Sequence, residues 1–108
     1  MAFVKVVGIL RTTCVDQVER ALCDIHVPGM TVIRVKGFGD YANFFRNDLM
    51  DEHARFEVLV PEERSEEVAR VMMEAAYSGS AGDGLVTIEP VARAFKVRKQ
   101  AEAAPEDL

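Results

Sequence analysis

Ala54-Arg55-Phe56-Glu57-Val58-Leu59-Val60-Pro61 is the stretch on which the fold turns. Ala54, Phe56, Val58 and Val60 alternate with Arg55, Glu57 and Leu59, the period of a strand with one buried face. Pro61 closes the strand and suits the first turn of a helix beginning near Glu62, where a missing N–H costs nothing. The period then changes. Val68, Val71, Met72, Ala75 and Ala76 recur at helical spacing, with Glu63, Glu66, Glu67 and Arg70 on the wet side. Met72 and Met73 read together as core filler.

Upstream, Thr31, Ile33 and Val35 alternate with Val32, Arg34 and Lys36, a second strand that runs into Gly37-Phe38-Gly39. Before it, Val27-Pro28-Gly29 stops a helix whose stripe is Val15, Val18, Leu22 and Ile25. Thr12 and Thr13 offer N-caps for that helix, and Thr13 with Asp16 approximates a capping box. Residues 3–10 are β-rich and make a first strand. Downstream, the glycine-dense turn 78–84 leads to a fourth strand, Leu85 to Glu89. A short fifth strand is expected within Val91 to Arg98, and residues 99–108 read as a flexible tail. The order β-α-β-β-α-β is an α+β, ferredoxin-like plan: an antiparallel sheet with two helices on one face. Residues 1–98 form the domain. Nothing in the chain covers the second sheet face, so association through it is expected.

Between the second and third strands no period holds from Asp40 to Glu52. Tyr41, Phe44, Phe45, Leu49 and Met50 make this connection apolar, and loops of such length are commonly functional.

Composition narrows the function. A chain of 108 residues with 49% hydrophobic and 29% charged residues is one globular domain. Thirteen Lys and Arg against eighteen Asp and Glu leave a net charge of −5, which opposes a nucleic-acid partner. No apolar run approaches the roughly 20 residues of a membrane span, and the start lacks a secretory pattern, so a cytoplasmic location is expected. Cys14 and Cys23, in one helix, stand on opposite faces about 13.5 Å apart and cannot pair with each other; two reduced, partly buried thiols are expected. His26 and His53 have no zinc spacing, and no nucleophile stands with a base, so neither a metal site nor an enzyme is expected. His26 reads as a partner for a helix C-terminus and His53 as solvated. Lys36-Gly37-Phe38-Gly39 begins an RNA-reading pattern that Asp40-Tyr41 breaks.

Three segments carry chemistry. Gly82-Asp83-Gly84 can present successive N–H groups to an anion. Gly37-Phe38-Gly39 is a second permissive turn. Lys96 and Arg98, two apart in an extended segment, point the same way. Each alone is ordinary structural punctuation. Together, from Val4 to about Arg98, the chain resembles the PII signal-transduction proteins. The matching runs are Val27-Pro28-Gly29-Met30-Thr31-Val32, Val35-Lys36-Gly37-Phe38-Gly39, Phe56-Glu57-Val58-Leu59-Val60-Pro61 and Glu74 to Gly84, followed by Phe95-Lys96-Val97-Arg98.

The resemblance implies a homotrimer that binds adenine nucleotides in clefts between subunits. It also implies docking of a T-loop onto transporters, enzymes or transcription regulators. By the resemblance Thr31, Gly37 and Glu57 line the base and ribose, with Phe38, Gly39 and Leu59 beside them. Gly82, Asp83 and Gly84 form the phosphate-side loop, and Lys96 and Arg98 stand for two phosphate-holding arginines. The T-loop equivalent is residues 40–53, with Tyr41, Phe44, Phe45, Arg46, Leu49 and Met50 as partner contacts.

Departures from the family pattern are as informative. Asp40 and Tyr41 stand where the family has Arg-Gln, and Leu85 where it has a phosphate-touching Lys. The loop is shorter and lacks the uridylylated tyrosine segment. Losing two cations and gaining an acid disfavours a triphosphate, so ADP or AMP is expected over ATP with magnesium. 2-Oxoglutarate sensing in the usual mode is disfavoured. The expected function is a non-enzymatic regulator of a partner, a membrane transporter or an enzyme, touching the membrane only through that partner. Divergent branches are associated with inorganic-carbon and metal-cation transporters, which makes bicarbonate a second effector to test. The alternative is a PII- or CutA-like trimer whose nucleotide site has decayed and which senses another small ligand or a metal ion.

Overall fold

The computed structural model describes residues 2–39 and 50–108. Strand β1 spans Phe3–Arg11, helix α1 Val15–Asp24, β2 Thr31–Gly37, β3 Asp51–Pro61, α2 Ser65–Ala76 and β4 Gly84–Val91. Two further strands, β5 (Phe95–Lys96) and β6 (Ala101–Glu102), pair only with each other. The main sheet has the order β2-β3-β1-β4, and all its pairings are antiparallel. This is the expected ferredoxin-like arrangement.

Register explains where the core lies. Val4 pairs with Val60, Val6 with Val58 and Leu10 with Ala54, and directly opposed residues share a face. That face, with Phe56 added, is buried against Val18 and Leu22 of α1 and Val68 and Met72 of α2. Gly8 lets α2 approach, because a Cβ there would stand 3.0 Å from the Met72 sulfur. The opposite face is mixed. Lys5, Glu57 and Arg55 form an ion-paired row on it, while Ile33 and Leu85 are 44% and 64% exposed.

Several local expectations need correction. Thr12–Cys14 forms a 3-10 turn, α1 starts only at Val15, and no side chain caps it, so the Thr13–Asp16 capping box does not form. Glu62–Arg64 is likewise a 3-10 turn and α2 starts at Ser65. Met72 fills the core as expected, whereas Met73 is 54% exposed. Cys14 is buried and Cys23 exposed, and neither is in a disulfide. His26 ends α1 by adopting φ 59°, with its N–H donated to Cys23 O and that of Val27 to Leu22 O. The expected fifth strand shrinks to two residues, and its partner β6 lies in the segment read as a tail, followed by a 3-10 turn at Pro105–Asp107.

Candidate functional site

The turn from α2 to β4 is organised around one carboxylate. Asp83 accepts hydrogen bonds from Ser78 N at 2.8 Å, Gly79 N at 2.9 Å, the Ser78 hydroxyl and Arg11 Nε at 3.3 Å. Arg11 also donates to Ala81 O, so the end of β1 anchors the same turn. These donors, Ser78 foremost, hold the Asp83 carboxyl down at about 2. Gly79, Gly82 and Gly84 all have positive φ, and a Cβ on Gly84 would sit 2.1 Å from Ile9 O. Only glycine fits there. Asp83, placed with Gly82 and Gly84 in the expected phosphate-side loop, has its carboxylate oxygens bonded within its own turn and to Arg11.

The expected nucleotide residues fall into two clefts. The first, about 410 Å³, takes Gly37, Phe38 and Gly39 after β2 together with Gly82 and Gly84 at the start of β4. Leu85, Val35 and Ile9 give it an apolar floor beside His53 and Arg55. The second cleft, about 390 Å³, takes Thr31, Glu57, Leu59 and Lys96, with Lys5 and Asp107. These clefts extend toward opposite ends of the sheet from the Arg55–Glu57 ion pair, where they meet. Thr31 and Gly37 are the two ends of β2, and at about 3.3 Å per residue that strand separates them by roughly 20 Å. Arg98 lines neither cleft and stands exposed on the turn between β5 and β6.

Glu57 is already partnered. Arg55 Nε donates to it at 2.6 Å and Lys5 Nζ at 3.5 Å, and the Arg55 bond is the main reason its carboxyl lies below the usual range. Lys5, Arg11 and Arg55 were not among the expected site residues. Alternation alone could have put Lys5 on the open face, but only the β1–β3 register sets it beside Glu57 and Leu59. Tyr41, Phe44, Phe45, Arg46 and Leu49 lie outside the described residues, and Met50, half-buried, immediately precedes β3. Among the described residues no three His, Cys, Asp or Glu side chains converge on a metal position, and no helix is long and apolar enough to cross a membrane.

A family model described as Nitrogen regulatory protein P-II matches residues 3–101. The chain belongs to the P-II family. It is 29% identical over 102 residues to the nitrogen regulatory protein P-II of Haemophilus influenzae, covering 87% of this chain and 90% of that one. To the P-II homolog of Arabidopsis thaliana it is 32% identical over 104 residues, covering 89% of this chain and 53% of the relative. The P-II protein 1 of Escherichia coli K12 is 28% identical over 102 residues, covering 87% of this chain and 90% of that protein. Among solved structures, Arabidopsis thaliana PII bound to citrate superposes with a TM-score of 0.80 at 31% identity, covering 94% of this chain and 85% of that one. The P-II match spans the whole main sheet and both glycine turns of the first cleft. It stops inside the β5–β6 hairpin, so residues 102–108 lie beyond it.

Proposed function

We propose that this P-II family chain is a non-enzymatic regulator that works as a homotrimer, binds an adenine nucleotide between copies, and acts on a partner through residues 40–53. The observation that carries this reading is the separation of the two clefts. A single ligand that uses the glycine turns at one end of the sheet and Thr31, Glu57 and Lys96 at the other is suited to bridging two copies. Head-to-tail contacts of that kind form a ring when the rotation between copies closes. The exposed Ile33 on the open sheet face suits burial in such a ring.

The chemistry of the clefts fits a nucleotide. The positive-φ glycines allow a phosphate close to the backbone, and Lys96 supplies a cation from the facing copy. Leu59 and Thr31 give a small apolar and hydroxyl-bearing wall for a base. Leu85 at the mouth of the first cleft brings no charge to a third phosphate, so ADP or AMP is preferred to ATP with magnesium. The partner is a transporter or an enzyme, met in the cytoplasm.

Light scattering and calorimetry test this together. A trimer mass, with ADP or AMP binding at micromolar affinity and more tightly than ATP with magnesium, is the expected result. A confirmed trimer that binds none of the three would overturn the nucleotide reading, and a monomer would overturn the shared site. Leu85→Lys should move the preference toward ATP.

A further inference from the structure

The cleft that contains Thr31, Glu57, Leu59 and Lys96 is walled on one side by Asp107 and Leu108 of the same chain. Both lie past residue 101, so this wall comes from outside the matched family frame. The segment is folded back by specific contacts. Ala103 N donates to Ala94 O at 2.9 Å, and the ion pair of Arg93 with Glu102 secures the hairpin before it. The Asp107 carboxylate then accepts from Ala104 N at 2.7 Å and from the Lys99 ammonium. Its side chain is only 8% exposed.

Lys96 lies near enough to Asp107 to help depress its carboxyl, after the Ala104 amide and Lys99. A carboxylate and a phosphate cannot both sit beside these cations without repelling each other. Little holds the carboxylate there beyond polar contacts: Ala103, Ala104 and Leu108 are half-buried, and Pro105 and Glu106 are exposed. Segments with few buried apolar contacts open at low free-energy cost.

We infer that residues 103–108 are a gate on this half-site: Asp107 takes the place beside Lys96 and Lys99 that a ligand's phosphate would occupy, and nucleotide entry displaces it. The inference rests on the nucleotide reading above. The gate lowers affinity, and its release makes residues 103–108 differ between empty and loaded forms.

Calorimetry with ADP on full-length chains tests it, with the Ala104 amide followed by NMR during the titration. Asp107→Asn should bind ADP about three- to ten-fold more tightly, the scale of a partly exposed ion pair. Glu106→Gln, which removes the same charge from an exposed neighbour, should bind like the parent. The Ala104 resonance of the parent should move toward an unfolded position at saturation. Equal affinities for the two variants with an unmoved Ala104 amide would overturn the gate while leaving nucleotide binding intact. Weaker binding by Asp107→Asn would also overturn it, making the segment a supporting wall. No ADP binding by any of the chains would remove the nucleotide reading and the gate with it.

Discussion

Gly84 and Asp83 do different work in adjacent positions. At Gly84 the backbone has φ +117°, and a Cβ would meet the Ile9 carbonyl, a backbone atom that cannot swing away. Gly84→Ala should therefore lower stability by at least about 1–3 kcal/mol, the scale of a forced backbone conformation, read by urea denaturation. Asp83 is replaceable in volume but not in acceptor capacity, since its carboxylate takes four donors from Ser78, Gly79 and Arg11. Its carboxyl sits at about 2 in the fold against 3.8 ordinarily. A depressed folded value means that the stabilisation is complete above 3.8 and disappears as pH falls through about 2. The Ser78 and Gly79 amide resonances should accordingly hold steady down to about pH 4 and move between there and about pH 2. In Asp83→Asn that transition should be absent. A steady pair of resonances at pH 2 in the parent would show that other contacts order the turn.

Between elements, the contact with the clearest consequence is Arg64. It closes the 3-10 turn before α2, pairs with Glu67 at 2.9 Å, and donates to Ile25 O at 2.5 Å. That carbonyl belongs to the end of α1, where intrahelical partners run out. One guanidinium thus ties the end of the first helix to the start of the second. Arg64→Ala should cost about 1–3 kcal/mol in chemical denaturation, as charged hydrogen bonds to part-buried carbonyls do. Arg64→Lys should recover only part of it, because an ammonium lacks the fork geometry. None of this was legible in the sequence, which showed Arg64 only as one more charge before an apolar stripe. What was legible follows one rule. Elements with a buried face repeat apolar residues at a fixed period, so β3 and both helices could be read directly, while β2 shows its alternation with no residue fully buried. The 3-10 turns before the helices and the two-residue strands β5 and β6 are too short to have a period. Within the site, the turn before β4 stood out because positive φ at Gly79, Gly82 and Gly84 selects glycine. Arg11 and Lys5 did not, because sheet register rather than spacing brings them to Asp83 and Glu57.

At the scale of the whole molecule, the two half-clefts make a prediction that neither residues nor elements can make alone. If each ligand bridges the glycine turns of one copy and the Lys96 side of the next, a defect in either half disables every site of a homogeneous trimer. Leu85→Glu puts a negative charge at the mouth of the first cleft, and Lys96→Glu reverses the cation of the second. Each variant alone should lose ADP binding, and both positions are on the surface, so neither substitution should unfold the chain. Mixed trimers behave differently. Wherever a Lys96→Glu copy presents its intact glycine turns to the intact second cleft of a Leu85→Glu copy, one working site is rebuilt. Every mixed ring of three holds one such junction. Random assembly from equal amounts of the two chains makes about three-quarters of the rings mixed, and so restores about a quarter of all sites. Calorimetry on the co-expressed pair should report that stoichiometry with near-parent affinity. A pair that stays inactive after verified mixing would mean that each site is complete within one copy, and the roughly 20 Å between the two ends of β2 would then have to be closed by the chain itself.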